Sequence, residues 1–482
     1  MSIQSVNPRT GESFGTVFNE STAQEVESAV AGAVQAFDSW STMSAKDRAG
    51  YLVKVADSLD AHVEELVAIA DQETALGQVR LTGEVGRTTF QIRQFAGVLE
   101  RGEFISPVVD SAVDAPLPQG HPEMIRTTAA LGVVAVFGAS NFPFAFSVLG
   151  GDTASALAAG CTVVAKAHPA HPQTSQRVFE IAAAQLPTSV LSLVHGVQAG
   201  VWLLKDPRIA GGAFTGSRNG GRALFDIANT REYPIPFYGE LGSVNPVVEL
   251  KGGASDAVAF ATAYLDSLLL GNGQFCTNPS ILFVPNGCTV LPEIKTAITE
   301  REGGFFLSKA TQDLHDKNRA LLATKIKGEV CVGKPAKSEG FVTTPQVFIA
   351  ALKDVDYQGL TIECFGPTGL VLTYDSVEEL LATLATMEGA LVASLFATAD
   401  NPDCVRVAQA LARKAGRVAF NAWPTGVAVT AGQNHGGPYP ASTSALHTSV
   451  GTSAIVRFLR TVAFQSLPAA IFNSAATNRK ES

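Results

Sequence analysis

The sequence predicts an α/β protein built on parallel sheets, and three observations carry that reading. From residue 131 onward, apolar runs of strand length alternate with helix-length amphipathic segments. The strand candidates "GVVAVF", "TVVAK", "TGLVLTY" and "LVASLFA" are apolar almost throughout, as strands covered on both faces are. A chain of 482 residues, 46% hydrophobic and 16% charged, is long enough for two or three domains with their own cores.

The N-terminal hundred residues read as helical. In "STAQEVESAVAGAVQAF", Thr22 and Glu25 have capping-box spacing, and Val26, Val30, Val34 and Phe37 are expected to share one face. "YLVKVADSLDAHVEELVAIA" repeats the pattern with Leu52, Val55, Leu59, Val63, Leu66 and Ala70. The proline-rich stretch 103–124 reads as a connector or arm. Residues 127–151 carry no charge and are long enough to cross a bilayer. Asn141 and Pro143 at their centre would leave polar groups unsatisfied in lipid, so the segment reads as a buried strand, a loop and a buried helix. Next come "TVVAK", a helix around 175–186, "VLSLVHG", a short helix near 198–205 and "IAGGAFTGS". A second alternation fills about 246–445, with a helix at 254–270, a strand at 280–284, "TGLVLTY", "EELLATLAT", "LVASLFA" and "RVAQALARKA". The apolar tail "AIVRFLRTVAFQSLPAAIF" suits a strand that pairs with a second subunit or one that joins its own sheet.

A net charge of −9 without any basic run argues against nucleic acid or an anionic membrane as partner. The N-terminus has no apolar stretch of signal-peptide type, so a cytoplasmic protein is expected. The six cysteines (161, 276, 288, 331, 364 and 404) form no C-x-x-C pair and no metal spacing with histidine. Reduced thiols, no disulfide and no metal site follow.

One of those cysteines stands out. In "GNGQFCTNPS", Cys276 sits between glycine, glutamine, phenylalanine, threonine and asparagine just after an apolar helix candidate; core filler, disulfide half, metal ligand and nucleophile are the readings. Other candidates fall in loops that follow strands, where open α/β sheets bind ligands. Asn141 in "GASNFPF" is a turn former or an amide donor. Lys166 in "KAHPAHP" is a solvated cation or a ligand contact. Thr215, Gly216 and Ser217 in "AFTGS" open a helix whose N–H groups can hold a phosphate. Glu240 in "YGELGSVNP" has an apolar, glycine-flanked setting in which a carboxyl of raised pKa suits a general base. Glu363 in "IECFGP" enters another apolar stretch. Together they supply a thiol to attack a carbonyl, an oxyanion donor, a dinucleotide seat and a base to activate water; no histidine is required.

"ASNFPF", "VVAK", "AFTGS", "ELGS-NP", "GQFCT" and "ECFGP", in this order and with the cysteine 36 residues after the glutamate, resemble the NAD(P)-dependent aldehyde dehydrogenase superfamily. The resemblance covers nearly the whole chain. It implies Cys276 as nucleophile, Asn141 as oxyanion donor and Glu240 as base for deacylation. Lys166 would bind the adenosine ribose, Ser217 with Gly216 the pyrophosphate, Glu363 the nicotinamide ribose, and Phe365 would lie beside the nicotinamide. It also implies a Rossmann-type cofactor domain (1–114 and 136–242), an α/β catalytic domain (243–445) and a small β oligomerisation element (115–135 and 455–482). A homodimer or dimer of dimers is the assembly expected.

Departures from the family pattern narrow the branch. Pro169 stands where most relatives carry an acidic residue that repels a 2′-phosphate, so NADP becomes acceptable beside NAD, with His168 or Arg208 holding the phosphate. The variants "SNFP", "KAHP" and "ELGSV", with "HGGPYPASTS", are similar to the bacterial branch that oxidises α-ketoglutaric semialdehyde (2,5-dioxopentanoate) in pentose and aldarate degradation. The alternatives are an NADP-linked broad-range or fatty aldehyde dehydrogenase and, from another class, a non-catalytic NADP-binding relative. A distal substrate carboxylate needs a cation or several donors. Arg93 and Arg87 in "GEVGRTTFQIRQFA" are the candidates, Arg93 sharing an expected helix face with Gly86 and Phe90.

Overall fold

A parallel sheet and a second, mainly parallel one both contribute to one cavity, where the functional residues collect. The structure is a computed structural model that describes residues 2–468. The first sheet has five parallel strands, in the order Leu191–Val194, Thr162–Lys166, Val133–Phe137, Ile209–Thr215 and Phe237–Glu240. The strand earliest in the chain is central, and successive strands are added first on one side and then on the other. This is the doubly wound order, with its crevice where the winding direction reverses. Strand Val133–Phe137 is buried throughout, as its unbroken apolar sequence requires.

The second sheet has seven strands, in the order Glu329–Val332, Gln346–Ala351, Thr368–Tyr374, Ile281–Pro285, Pro246–Glu249, Ala390–Phe396 and Ala415–Phe420. Only the edge pair Glu329–Val332 with Gln346–Ala351 is antiparallel. A third sheet, wholly antiparallel, joins Leu459–Gln465, Met124–Ala130 and Val108–Asp110. The tail strand thus pairs within its own chain, as the second reading of the tail requires. Residues 469–482 of the expected β element lie outside the described residues. Strand Val133–Phe137 begins inside the range 115–135, so the arm gives way to the first sheet at about residue 132.

Several helices follow the sequence closely. Helix Ala23–Thr42 opens with the Thr22–Glu25 capping box, both reciprocal hydrogen bonds being present. Its buried stripe is Val26, Val30, Ala33 and Trp40, while Val34 is 38% exposed. Steps of four residues drift about 40° per step on a 3.6-residue helix, so two such steps carry Val34 out of the face. The next predicted helix is two, Ala45–Ala61 and Val63–Thr74, broken at His62. Residues 2–19, read as part of a helical region, form a hairpin of Ser2–Val6 with Ser13–Asn19. Segment 127–151 folds as expected into strand, loop and the buried helix Gly151–Ala159, and among the described residues no helix is long and apolar enough to cross a membrane.

Candidate active site

A cavity of about 720 Å³ lies between the carboxyl ends of the five-stranded sheet and the amino ends of the seven-stranded one. Asn141, Lys166, His168, Gly216, Ser217, Glu240, Cys276, Glu363 and Phe365 all line it. The carboxyl ends of the first sheet supply the loop with Asn141, then Lys166, the Thr215–Ser217 turn and Glu240. Glu240 is paired in register with Thr215 on the adjacent strand, and its carbonyl accepts the Gly216 N–H at 3.1 Å. Cys276 and Glu363 come from the other side, on loops leading into Ile281–Pro285 and Thr368–Tyr374.

The cysteine loop explains its own glycines. Gly271, Asn272 and Gly273 have φ of 57°, 55° and 71°, a left-handed run that turns the chain sharply after helix Ala257–Leu269. A Cβ on Gly273 would also lie 2.1 Å from the Gly366 carbonyl oxygen, so the two loops touch backbone to backbone. The Asn245 amide then pins the loop, donating to the carbonyls of Cys276 at 2.8 Å and Asn278 at 3.0 Å.

Around the thiol, Asn141 is buried and donates one Nδ2 proton to the Gln274 carbonyl at 3.0 Å, which orients the amide. Its second Nδ2 proton remains for an oxygen in the cavity. Glu240 is 4% exposed; its Oε2 accepts from Ser449 Oγ at 2.7 Å. The sequence reading left out His435, which is buried with Nε2 3.0 Å from Glu240 Oε1 and 3.8 Å from Cys276 Sγ. The Nε2–Oε1 approach lacks hydrogen-bond geometry, and Oε1 has no hydrogen-bond partner. Ser449 Oγ and the Thr448 hydroxyl hold the His435 backbone carbonyl and N–H.

Charge in the site departs from expectation at one point. Burial alone would raise the Glu240 carboxyl, as the sequence suggested; the neighbouring imidazole and the Ser449 hydroxyl outweigh it and hold the group below its ordinary value. Cys276 moves the other way, pushed well up by burial and by the Glu240 charge, so its resting form is the thiol. Glu363 is raised to about 7 by burial. Lys166, mostly buried, is lowered to about 8. His168 is held neutral by burial and the nearby His171 and Lys166. Its Nδ1 accepts the Ala170 N–H at 3.1 Å, which puts the imidazole proton on Nε2.

Three predicted contacts, Arg208, Arg93 and Arg87, are not among the residues that line the cavity. Arg208 is clamped by Asp206 at 2.6 Å and Glu27 at 3.0 Å. Arg93 turns to helix Ala45–Ala61, where it pairs with Asp57 at 2.6 Å and Asp60 at 2.7 Å, and Phe90 beside it is exposed. Arg87 behaves differently. Its guanidinium lies 5.8 Å and 5.3 Å from the ring centres of Phe142 and Phe146, both of which line the cavity. Its Nε and Nη2 are buried without a hydrogen-bond partner. Arg80, missed in the sequence, lies two turns earlier on the same helix; it donates to the Asn141 carbonyl at 2.6 Å and sits 4.9 Å from the Phe142 and Phe275 ring centres. Both arginines recur on the face of Glu84, one of whose carboxylate oxygens is taken by the Phe144 and Ala145 N–H groups.

Comparison with known proteins places this arrangement. The sequence profile described as "Aldehyde dehydrogenase family" matches residues 1–462. Alpha-ketoglutaric semialdehyde dehydrogenase 2 of Azospirillum brasilense is 39% identical over 482 residues, spanning 97% of this chain and 91% of that one. Alpha-ketoglutaric semialdehyde dehydrogenase of Acinetobacter baylyi is 36% identical, spanning 96% and 90%. Among solved structures, 1-pyrroline-5-carboxylate dehydrogenase from Thermus with bound NAD superposes with a TM-score of 0.83 at 22% identity, spanning 96% of this chain and 90% of that one. The chain belongs to the aldehyde dehydrogenase family and is an NAD(P)-dependent oxidoreductase of aldehydes.

Proposed function

We propose that this enzyme oxidises 2,5-dioxopentanoate, the semialdehyde of 2-oxoglutarate, with Cys276 as nucleophile, Asn141 as oxyanion donor and Glu240 as the base for deacylation. The observation that carries the substrate is Arg87. A buried guanidinium whose charge is met by Glu84, but whose Nε and Nη2 beside Phe142 and Phe146 lack a hydrogen-bond partner, is completed by an anion that takes those N–H groups. A substrate with a carboxylate at the end remote from its aldehyde supplies that anion, and two relatives bearing the semialdehyde name span more than nine tenths of the chain. Exchanging Arg87 for methionine keeps the length of the side chain and removes the charge. We expect kcat/KM for 2,5-dioxopentanoate to fall by about 30-fold or more, the equivalent of about 2 kcal/mol or more, with uncharged short alkanals much less affected. Equal losses on charged and uncharged aldehydes would rule out Arg87 as the carboxylate's partner. A broad-range aldehyde specificity draws on the aromatic walls Phe142 and Phe146, and the same aldehyde panel separates the two readings.

The residues suit a dinucleotide. Lys166 and the His168 Nε2–H line the cavity. The N-terminus of helix Arg218–Thr230, capped by Ser217 and free of a side chain at Gly216, opens on the same cavity, which the Glu363 carboxylate also lines. A Cβ on Gly242 would lie 2.1 Å from Glu363 Oε2, so the glycine leaves room for that carboxylate. An NAD(P)⁺ held there would supply the hydride acceptor. In the remaining steps Cys276 Sγ attacks the aldehyde carbon as its proton passes to the Glu240–His435 pair, and the new oxyanion accepts a hydrogen bond from the free Nδ2–H of Asn141. Once the Cys276 thioester has formed and the thiol's proton has left to solvent, Glu240 takes a proton from water; the resulting hydroxide attacks the acyl carbon, Glu240 returns its proton to the departing thiolate, and the acid product leaves as carboxylate plus a proton.

NADP is accepted in this reading because Pro169 carries no repelling charge and Lys166 offers a cation to the 2′-phosphate. That cation is present below pH about 8 and lost above it. The ratio of kcat/KM for NADP⁺ to that for NAD⁺ is therefore expected to fall as pH rises through 8, because kcat/KM reports the free enzyme's groups. A ratio that stays level on both sides of pH 8 would remove Lys166 from phosphate recognition. We also read the five-stranded sheet as the core of the cofactor domain and the seven-stranded sheet as that of the catalytic domain. The antiparallel sheet is the bridging element of a homodimer or dimer of dimers, a role supported by the exposure of Val108, Val109, Val113 and Leu117 along its arm.

A further inference from the structure

Glu240, Cys276 and His435 each present one electron-pair donor, and the three atoms lie within 4.8 Å of one another. They come from a strand end, the cysteine loop and a loop 159 residues beyond the cysteine, which is why no metal-type spacing exists in the sequence. The convergence leaves a donor unused. Glu240 Oε1, on a side chain 4% exposed, has no hydrogen-bond partner although Nε2 is 3.0 Å away. Nε2, Oε1 and Sγ converge closely enough for a cation to take the place of the protons they hold between them.

The distances suit a particular class of ion. Zinc binds sulfur at about 2.3 Å, imidazole nitrogen at about 2.0–2.1 Å and carboxylate oxygen at about 2.0–2.2 Å, so tetrahedral ligand atoms stand roughly 3.3–3.6 Å apart. The Nε2–Sγ and Nε2–Oε1 separations of 3.8 Å and 3.0 Å bracket that range. A thiolate and an imidazole favour zinc over magnesium or calcium, which take oxygen donors. The charges also close, because a thiolate and a carboxylate balance a divalent ion in a buried place. A fourth position faces the cavity, which Cys276 and Glu240 line.

We propose that Glu240, Cys276 and His435 form a three-ligand site for a zinc-class divalent cation, and that its occupation reversibly arrests the enzyme. Binding breaks the Sγ–H bond, releases the proton to solvent and forms an Sγ–metal bond; no electron is transferred. The arrest rests on Cys276 as nucleophile, whereas the binding does not.

Cobalt(II) tests the site directly in the full-length, chelator-treated protein. One equivalent should produce a thiolate-to-cobalt charge-transfer band with intense four-coordinate d–d absorption, and added zinc should displace it. Cys276→Ser should abolish the band, and His435→Asn should weaken cobalt binding by about 10-fold or more. Thermal unfolding of each variant establishes that it is folded. In the native protein, zinc alone should slow alkylation of the Cys276 peptide and leave the other five cysteines unchanged, which needs no variant. Zinc should also inhibit aldehyde oxidation until a chelator is added. His435→Asn should need at least about 10-fold more zinc for half-inhibition of its own rate. No charge-transfer band at saturating cobalt, or a band that survives Cys276→Ser, would overturn the site. Cobalt and zinc bound at Cys276 with turnover undiminished would overturn the arrest and count against Cys276 as the nucleophile.

Discussion

The Cys276→Ala protein should bind dinucleotide as the native enzyme does and oxidise aldehyde at least about 10⁴-fold more slowly. Losing a nucleophile that forms the covalent intermediate removes the whole chemical route, as the non-additive losses in nucleophile-base enzymes show. Binding should survive because the groups suited to the dinucleotide, Lys166, Ser217 and Glu363, are separate side chains on other segments. Stability should change little, since the thiol is only half-buried and its loop is fixed through the backbone by Asn245. Initial rates, dinucleotide titration and thermal unfolding of the same preparation check all three. Turnover above about one per cent of native would rule out Cys276 as the nucleophile.

What the sequence disclosed and what it hid divide by range. Asn141, Lys166, Ser217, Glu240, Cys276 and Glu363 all follow or precede strands whose apolar runs are visible locally, and all six line one cavity. Thr22 and Glu25 are three residues apart, so their capping box could be read directly. The errors arise where distant segments decide the outcome. Arg93 is taken up by Asp57 and Asp60 on a packed neighbouring helix, whereas Arg208 is held mainly by Asp206, two residues away, with Glu27, 181 residues away, as a second partner. His435 reaches Cys276 across 159 residues, and Ser449 reaches Glu240 across 209. The same long-range contacts reverse the expected shift of Glu240: a carboxyl in an apolar stretch should rise, but a hydroxyl and an imidazole brought by the fold lower it. "HGGPYPASTS" was visible as a glycine-rich loop with one histidine, yet nothing local said which site it would enter.

A Glu240→Gln protein should form the acyl-enzyme and then fail to release it. Hydrolysis of the thioester needs a proton taken from water beside the acyl carbon, and a base of this kind contributes about 10²–10⁴-fold. Gln keeps the size and the Ser449 contact and removes the base, so steady-state turnover should drop by that range. Formation of the acyl-enzyme is less exposed, for two reasons on opposite sides of the thiol. The Glu240 charge is one of the causes that raise the Cys276 thiol, so its removal lowers that group and favours the thiolate. His435 Nε2, 3.8 Å from the sulfur, remains to receive the proton. The expected record is a burst of reduced dinucleotide of up to about one per active site, then very slow turnover. Digestion during the slow phase should yield the Cys276 peptide heavier by the acyl group. If Glu240 were instead the sole acceptor of the thiol proton, the burst would shrink with the steady state, and raising the pH would restore the burst first. Native turnover with no acyl adduct would exclude Glu240 from the mechanism.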